Sequence, residues 1–453
     1  MSEITVFGQG KVGLALSACL LEAGHTVVGV DVDPDCVRRL NAGTFSTDES
    51  GVIERLRQHS PRFTATTDAV RAVTGSEVSF VIVPTPSNTL GGFSLRFVRA
   101  AGREIGTALR NHTSYHVVAV VSTMLPGASD SRVMPYLGQM IGRPIGDGWG
   151  YDYNPAFIAL GEVVQGFVKP DYILIGESEA RAGEVVAGIH RSLVVNGPPL
   201  ARMSPIEAEI TKIASNTHET MRVSFANMLF SLCSEIPGTH VDHITEALAH
   251  RMGKRFFKGA VPYGGPCWPR DNVALAVFMD LMGVPSTFPR TVDQFNQEHG
   301  RYVLRKCLEI TRPGGAVAVL GLAYKARTKV IEHSFGINLA RWLAAEGRRV
   351  TVWDPLAMEA ARSILNDSVA YADSMEHCLE QGEVDIIVNA LTEIQEVDWS
   401  RVGDRIVIDC WRCLTPEAVS RIKHYRPLGQ GPVSQDGKAR SWIDLDRLKL
   451  LTD

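Results

Sequence analysis

The segment Tyr263-Gly264-Gly265-Pro266-Cys267-Trp268-Pro269-Arg270-Asp271 contains the residue types of a covalent catalyst. Two glycines and two prolines impose an irregular backbone, so Cys267 is presented from a loop and not sealed inside a helix. A neighbouring arginine could lower its thiol pKa, and Asp271 could handle a proton or water. A second pair, Lys212 and Asn216, is spaced i, i+4, which puts both on one face of a helix. There a partly buried lysine could stabilise a developing alkoxide while the amide orients a hydroxyl. Glu209, one turn earlier, offers the plainer alternative of a solvated Glu209–Lys212 pair.

A third group is Gly8-Gln9-Gly10-Lys11-Val12-Gly13, which follows the strand-like run EITVFG and opens a helix-period segment. Gly8 permits a tight turn, Gly10 lets the backbone approach a pyrophosphate at a helix N-terminus, and Gly13 allows close helix packing. Asp31 closes the next strand, HTVVGVDVD, where it would accept hydrogen bonds from a ribose and repel a 2′-phosphate. With Asp33 near it and no adjacent arginine, this predicts NAD over NADP, with Lys11 and Val12 at the same turn. Two further strand ends, VIVPTPSN and VVSTMLPG, place Pro84, Thr85, Ser122 and Thr123 as cofactor or water contacts. Ordinary turn chemistry is the alternative there.

These groups need a scaffold. Short apolar runs at 78–83, 116–121 and 172–175, separated by helical or turn-rich stretches, predict a parallel doubly wound sheet. From 203 to 297 strand-like runs vanish and long helix-period segments take over, opened by Ser204, Pro205 and Glu207 as a capping box. After RPGG at 312–315, VAVLGLAY, a helix over 334–346, and RVTVWDP echo residues 3–33, including an aspartate, Asp354, at the end of the second strand. Later strands are expected in VDIIVNAL and RIVIDC, with a turn-rich stretch at 425–441. The predicted class is α/β, two Rossmann-like doubly wound domains joined by a central helical domain, divided as 1–202, 203–300 and 301–453.

Composition narrows the function. The chain has 453 residues, 45% hydrophobic and 21% charged, with mean hydropathy +0.01, which describes a folded multidomain protein and excludes a small binding module. Lys plus Arg number 46 against 50 Asp plus Glu, and no basic run suggests nucleic acid or a membrane surface. With no long apolar segment or leader-like N-terminus, the expected location is cytoplasmic. Eight cysteines are too sparse for a disulfide framework. The single CxxC, Cys410 and Cys413, lacks the second pair of a zinc site, so no metal is expected.

VFGQGKVG with Asp31, STMLPG, EAEITKIASN, GGPCWPRD and GLAYKARTK, in that order, resemble the UDP-glucose/GDP-mannose dehydrogenase family over nearly the whole chain. The resemblance implies an NAD-binding Rossmann domain, a helical dimerising domain and a sugar-nucleotide domain. It also implies a four-electron oxidation of a sugar C6 alcohol to the acid, through capture of the aldehyde by a cysteine. Carried onto this sequence, Cys267 is the nucleophile, Lys212 stabilises the alkoxide and oxyanion, and Asn216 binds the sugar. Asp271 with Thr123 holds or activates water. Arg251 reaches the sugar site, across the interface of a homodimer, Tyr263 and Gly264 line the pocket, and Tyr324 and Lys325 contact substrate. The favoured ligand is a UDP-hexose.

The sequence departs from that family at three places. Its PEFLxEG loop reads Asn154-Pro155-Ala156-Phe157-Ile158-Ala159-Leu160-Gly161, so both glutamates are absent; Glu162 is a candidate stand-in. TDDxRE becomes Thr328-Lys329-Val330-Ile331-Glu332-His333, an arginine exchanged for Glu332. DGRN becomes Asp409-Cys410-Trp411-Arg412, where Arg412 is expected to supply the displaced guanidinium to substrate. Two other functions stay open on the residues alone: a two-electron dehydrogenase releasing an aldehyde, and a catalytically weak nucleotide-sugar-binding protein.

Overall fold

A computed structural model describes residues 1–432. The chain forms two compact units, Met1–Ser215 with Val273–Pro285, and Asn216–Asn272 with Ser286 onward. In the first, eight strands lie in the order β3-β2-β1-β4-β5-β6-β7-β8. They are β1 (Glu3–Phe7), β2 (Thr26–Val30), β3 (Phe63–Thr66), β4 (Val78–Val81), β5 (His116–Val120), β6 (Trp149–Tyr153), β7 (Ile173–Glu177) and β8 (Leu200–Met203). Every residue of β4, β5 and β6 is buried, as expected of strands covered on both faces. The helix Lys11–Glu22 buries Gly13 through Leu21 against β1 and its neighbours.

The sheet is not uniformly parallel: β7 runs antiparallel to β6, pairing Asp152 with Glu177 and Tyr153 with Gly176. The connection 154–172 carries only the six-residue helix Val163–Val168, not the long crossover helix of a parallel step.

In the second unit all six strands are parallel, ordered β11-β10-β9-β12-β13-β14. They are β9 (Ala316–Leu320), β10 (Arg349–Trp353), β11 (Ala370–Tyr371), β12 (Val384–Ile387), β13 (Ile406–Asp409) and β14 (His424–Pro427). The helix Phe335–Ala345 joins β9 to β10, reproducing the β1–helix–β2 pattern, so the internal echo in the sequence is an architectural repeat. The turn-rich stretch opens with β14; residues 433–441 lie outside the described residues.

Four helices fill the middle of the chain: Pro205–Glu235, Val241–Met252, Trp268–Leu281 and Thr287–Ile310. The first begins with half of the expected capping box. Glu207 accepts from the Ser204 backbone N–H at 3.0 Å and from its hydroxyl at 2.5 Å. Among the described residues no helix is long and apolar enough to cross a membrane.

Two strand aspartates are buried, and among the described residues both oxygens of Asp152 and of Asp385 lack a hydrogen-bond partner, although Arg405 Nε lies 3.9 Å from Asp385. Burial pushes the Asp152 carboxyl up to about 8 and that of Asp385 up to about 7 from an ordinary 3.8. The folded chain therefore holds protons that the unfolded chain releases between about pH 4 and 8, so each group lowers stability as pH rises through that window. Asp152→Asn should raise the unfolding free energy at pH 8 by on the order of 1 kcal/mol or more, and change it far less at pH 4. Calorimetry at the two pH values checks the sign.

Candidate active site

In the first unit the glycine turn is built as its spacing predicts. Gly8 has φ +87°, and a β-carbon there would lie 2.2 Å from the Ile82 carbonyl oxygen. A β-carbon on Gly13 would lie 1.8 Å from the Gly8 oxygen, so helix and turn are in contact. Around Gly10, by contrast, nothing among the described residues lies within 4 Å of a β-carbon, and none of their side chains caps the helix that starts at Lys11. An open approach to a helix N-terminus fits a pyrophosphate. Asp31 accepts from the Gln9 N–H at 2.8 Å and from the Asp33 N–H at 3.0 Å, which places its carboxylate beside the turn with acceptor capacity left for a ribose. Lys11 pairs with Asp48 at 2.7 Å, and Val12 is partly buried.

Asp354, the counterpart of Asp31 in the second unit, is saturated. One of its oxygens accepts from Leu322 and Ala323 N–H, the other from Leu356 and Ala357 N–H, all within 3.0 Å. The echo is thus one of fold, and of the two carboxylates the one with acceptor capacity left belongs to the first unit.

The two loops after β4 and β5 brace each other. Thr85 donates to the Thr123 carbonyl at 2.7 Å, and the Ser122 hydroxyl accepts from Val83 N–H and donates to the Val83 carbonyl. Thr85 and Ser122 are buried, Thr123 is partly buried and Pro84 is exposed. Glu209 anchors the second loop: its carboxyl accepts from the N–H of Gly127 at 2.6 Å and of Ser129 at 2.8 Å, and from the Ser129 hydroxyl at 2.7 Å. It is fully buried, which pushes it up to about 7 against the opposing pull of those hydrogen bonds, so it is no solvated partner for Lys212.

Lys212 is buried too. Its ammonium donates to the Ala156 carbonyl at 2.9 Å and stands 4.5 Å from the centre of the Phe157 ring. Ala156 and Leu160, where the resembled motif has glutamates, pack with Ile158 against the apolar core. Glu162 is exposed. The carboxylate buried at this loop is instead Glu49, which accepts from Gly161 N–H at 2.9 Å and from Val163 N–H at 3.2 Å. No local pattern announces Glu49, because its partners lie more than 100 residues away.

In the second unit the thiol loop packs backbone to backbone on the segment after β9. A β-carbon on Gly264 would lie 2.3 Å from the His333 carbonyl oxygen, and one on Gly265 (φ +89°) would lie 2.7 Å from the Tyr324 ring. Gly265 N–H donates to the Glu332 carbonyl at 2.9 Å, and His333 itself takes the left-handed φ of +52°. Cys267 emerges from this loop exposed, alone among the eight cysteines. Burial pushes Cys19, Cys307 and Cys378 up to about 12; Cys413 reaches about 12 through burial and Asp409, and Cys410 is also raised, all against nucleophilic use. Asp271, one helical turn beyond Cys267, is fully buried. It accepts from Asn216 Nδ2 at 2.6 Å and pairs with Arg270 at 3.0 Å. Arg270 is thereby engaged with the aspartate.

Tyr263 is buried, its hydroxyl bonded to Asp293 and to Asn272. Tyr324 and Lys325 are partly buried, and Arg251 is exposed at the end of the helix Val241–Met252. Arg412 requires a correction. Its guanidinium is bidentate to Asp242 at 2.9 Å and also donates to the carbonyls of Cys410, Leu428 and Gly259. All five N–H donors are spent inside the fold, and none is left for substrate.

Residues 2–194, 206–298 and 318–416 match the NAD binding, central and UDP binding domains of the UDP-glucose/GDP-mannose dehydrogenase family. The UDP-glucose 6-dehydrogenase of Haloferax volcanii is 31% identical over 91% of this chain and 97% of its own length. The GDP-mannose 6-dehydrogenase of Pseudomonas aeruginosa is 29% identical over 78% and 81%. A solved UDP-glucose dehydrogenase from Pyrobaculum islandicum superposes with a TM-score of 0.85 at 32% identity, covering 95% of this chain and 98% of that one.

The close approach at Gly264 generates a test. Gly264→Ala should reduce turnover roughly 10- to 100-fold by displacing the thiol loop, while NAD affinity, read by fluorescence titration, stays near that of the parent. Undiminished turnover would show that the loop tolerates the displacement. The chain belongs to the UDP-glucose/GDP-mannose dehydrogenase family and is an NAD-dependent nucleotide-sugar 6-dehydrogenase.

Proposed function

We propose that this chain oxidises the C6 hydroxyl of a UDP-hexose to the uronic acid, with Cys267 as nucleophile. The observation that carries the reading is the single exposed thiol, held on a glycine loop one turn before a buried carboxylate that is bonded to Asn216. NAD, when bound, would supply the hydride acceptor for both oxidations, alcohol to aldehyde and thiohemiacetal to thioester, two NAD molecules being used in turn for each sugar. Lys212, positively charged and held against a carbonyl, would stabilise the alkoxide as the alcohol loses its proton. The Cys267 sulfur adds to the aldehyde carbon to give a thiohemiacetal, and loss of its carbon-bound hydrogen as a second hydride leaves a thioester. Water then cleaves the C–S bond, releasing the acid and restoring the thiol. Asp271 and Thr123 are assigned to water, Asn216 to the sugar hydroxyl, and Tyr263, Gly264, Tyr324 and Lys325 to the sugar-nucleotide pocket.

The three-part division at 202/203 and 300/301 is part of this reading, as is a homodimer to which Arg251 contributes. Exposed Phe225, Met228 and Leu232, spaced i, i+3, i+7 on one helix, support self-association.

A second reading is favoured by one feature: apolar Ala156 and Leu160 deprive the Lys212 loop of carboxylates for hydrolysis. A missing general base costs about 10² to 10⁴ in rate, so thioester hydrolysis would become slow enough for the second hydride transfer to reverse and for the thiohemiacetal to expel the Cys267 thiol and release the aldehyde. Counting NADH per UDP-hexose consumed separates the two. The acid-forming reaction gives two; a ratio near one supports aldehyde release. Cys267→Ser should abolish acid formation, and Lys212→Ala should lower the first oxidation by roughly 10²-fold or more. Full acid formation by Cys267→Ser would overturn the covalent reading.

A further inference from the structure

We infer that Glu49 is a positioning residue for Lys212. This rests on the assignment of Lys212 above and adds a residue from a different part of the chain.

The loop 154–163 meets the Lys212 ammonium near its start, through the Ala156 carbonyl at 2.9 Å and the Phe157 ring. Its far end turns at Gly161, φ +87°, into the short helix Val163–Val168. A loop whose carbonyl must face an ammonium needs its backbone path fixed, and ordinarily its own polar side chains do this. Here Ala156, Ile158 and Leu160 face the apolar core, where they hold the loop by packing but offer its N–H groups no acceptor. Glu49 supplies that acceptor. Only 3% exposed, it takes the Gly161 N–H on both carboxylate oxygens at 2.9 Å and the Val163 N–H on Oε2 at 3.2 Å. A buried carboxylate receiving backbone N–H groups is a strong, directional tether, and its removal strands those donors without water.

The residue before it gives the tether a second attachment. Asp48 pairs with Lys11 at 2.7 Å, and Lys11 directly follows Gly10 at the cofactor turn. Within two consecutive residues the segment therefore grips both the turn suited to a pyrophosphate and the loop that holds Lys212. Glu49 itself is spent on backbone N–H groups, so its influence on the reaction runs through the loop.

The test uses the full-length enzyme with NAD and UDP-glucose, following the first hydride transfer by stopped-flow NADH absorbance. Glu49→Ala should lower kcat at least about tenfold, with the KM for UDP-glucose and the Kd for NAD within about twofold of the parent. Glu49→Gln should recover part of the loss, because an amide oxygen in the place of Oε2 accepts from both Gly161 and Val163, while the NH2 in the place of Oε1 faces the Gly161 N–H donor to donor. Parallel loss of kcat, sugar KM, NAD affinity and thermal stability in both variants would reduce Glu49 to a fold residue and overturn the inference. Unchanged kcat in Glu49→Ala would overturn it as well. Lys212→Ala is the discriminating control: if that variant keeps full turnover, the assignment of Lys212 fails on its own account, whatever Glu49 does.

Discussion

The close approach of the Gly264 backbone to the carbonyl of His333 is the packing constraint on which the seat of the thiol loop depends. Only a residue without a β-carbon fits there, and Gly265 beside it meets the Tyr324 ring under the same constraint. The thiol loop is thereby seated on the segment after β9, so the position of Cys267 is inherited from a parallel sheet and does not depend on the loop's own preferences. The same packing explains how the unusual Glu332 and His333 are tolerated. What they contribute to the seat is backbone: the Glu332 carbonyl accepts a hydrogen bond, and the His333 carbonyl forms the wall.

Two Rossmann-like sheets carry an aspartate at the same strand end, and the two are satisfied differently. Asp31 accepts two backbone N–H groups and keeps acceptor capacity beside an open helix N-terminus. Asp354 occupies the matching strand end but is closed by four backbone N–H groups, which converts a ligand-binding carboxylate into a structural one. The same fold, repeated, thus leaves a carboxylate with open acceptor capacity at the first strand end and a filled one at the second.

Much of this was legible in the residues. The glycine spacing, Asp31, the helical pair Lys212 and Asn216, and the loop thiol all announce themselves through local rules of turn and helix geometry. Features fixed by distant partners did not. Arg412 read as a guanidinium for substrate, yet Asp242, 170 residues away, and three carbonyls consume it. Glu209 read as a surface partner of Lys212, yet it is buried under the Gly127–Ser129 turn. Glu49 carried no signal, since its role exists only where Gly161 folds onto it. The antiparallel β6–β7 pair escaped for a related reason: WGYDY is uniformly buried and shows no alternation, and strand direction is set by the connection that follows.

The central claim, that Cys267 carries the substrate covalently, is tested most directly by acid-quenching the enzyme during turnover with UDP-glucose and NAD and measuring its intact mass. The account predicts a population heavier by the bound sugar nucleotide, mapped to the peptide containing Cys267 and absent from Cys267→Ala. Acid production at full rate with no adduct at any quench time, or an adduct that persists in Cys267→Ala, would contradict it.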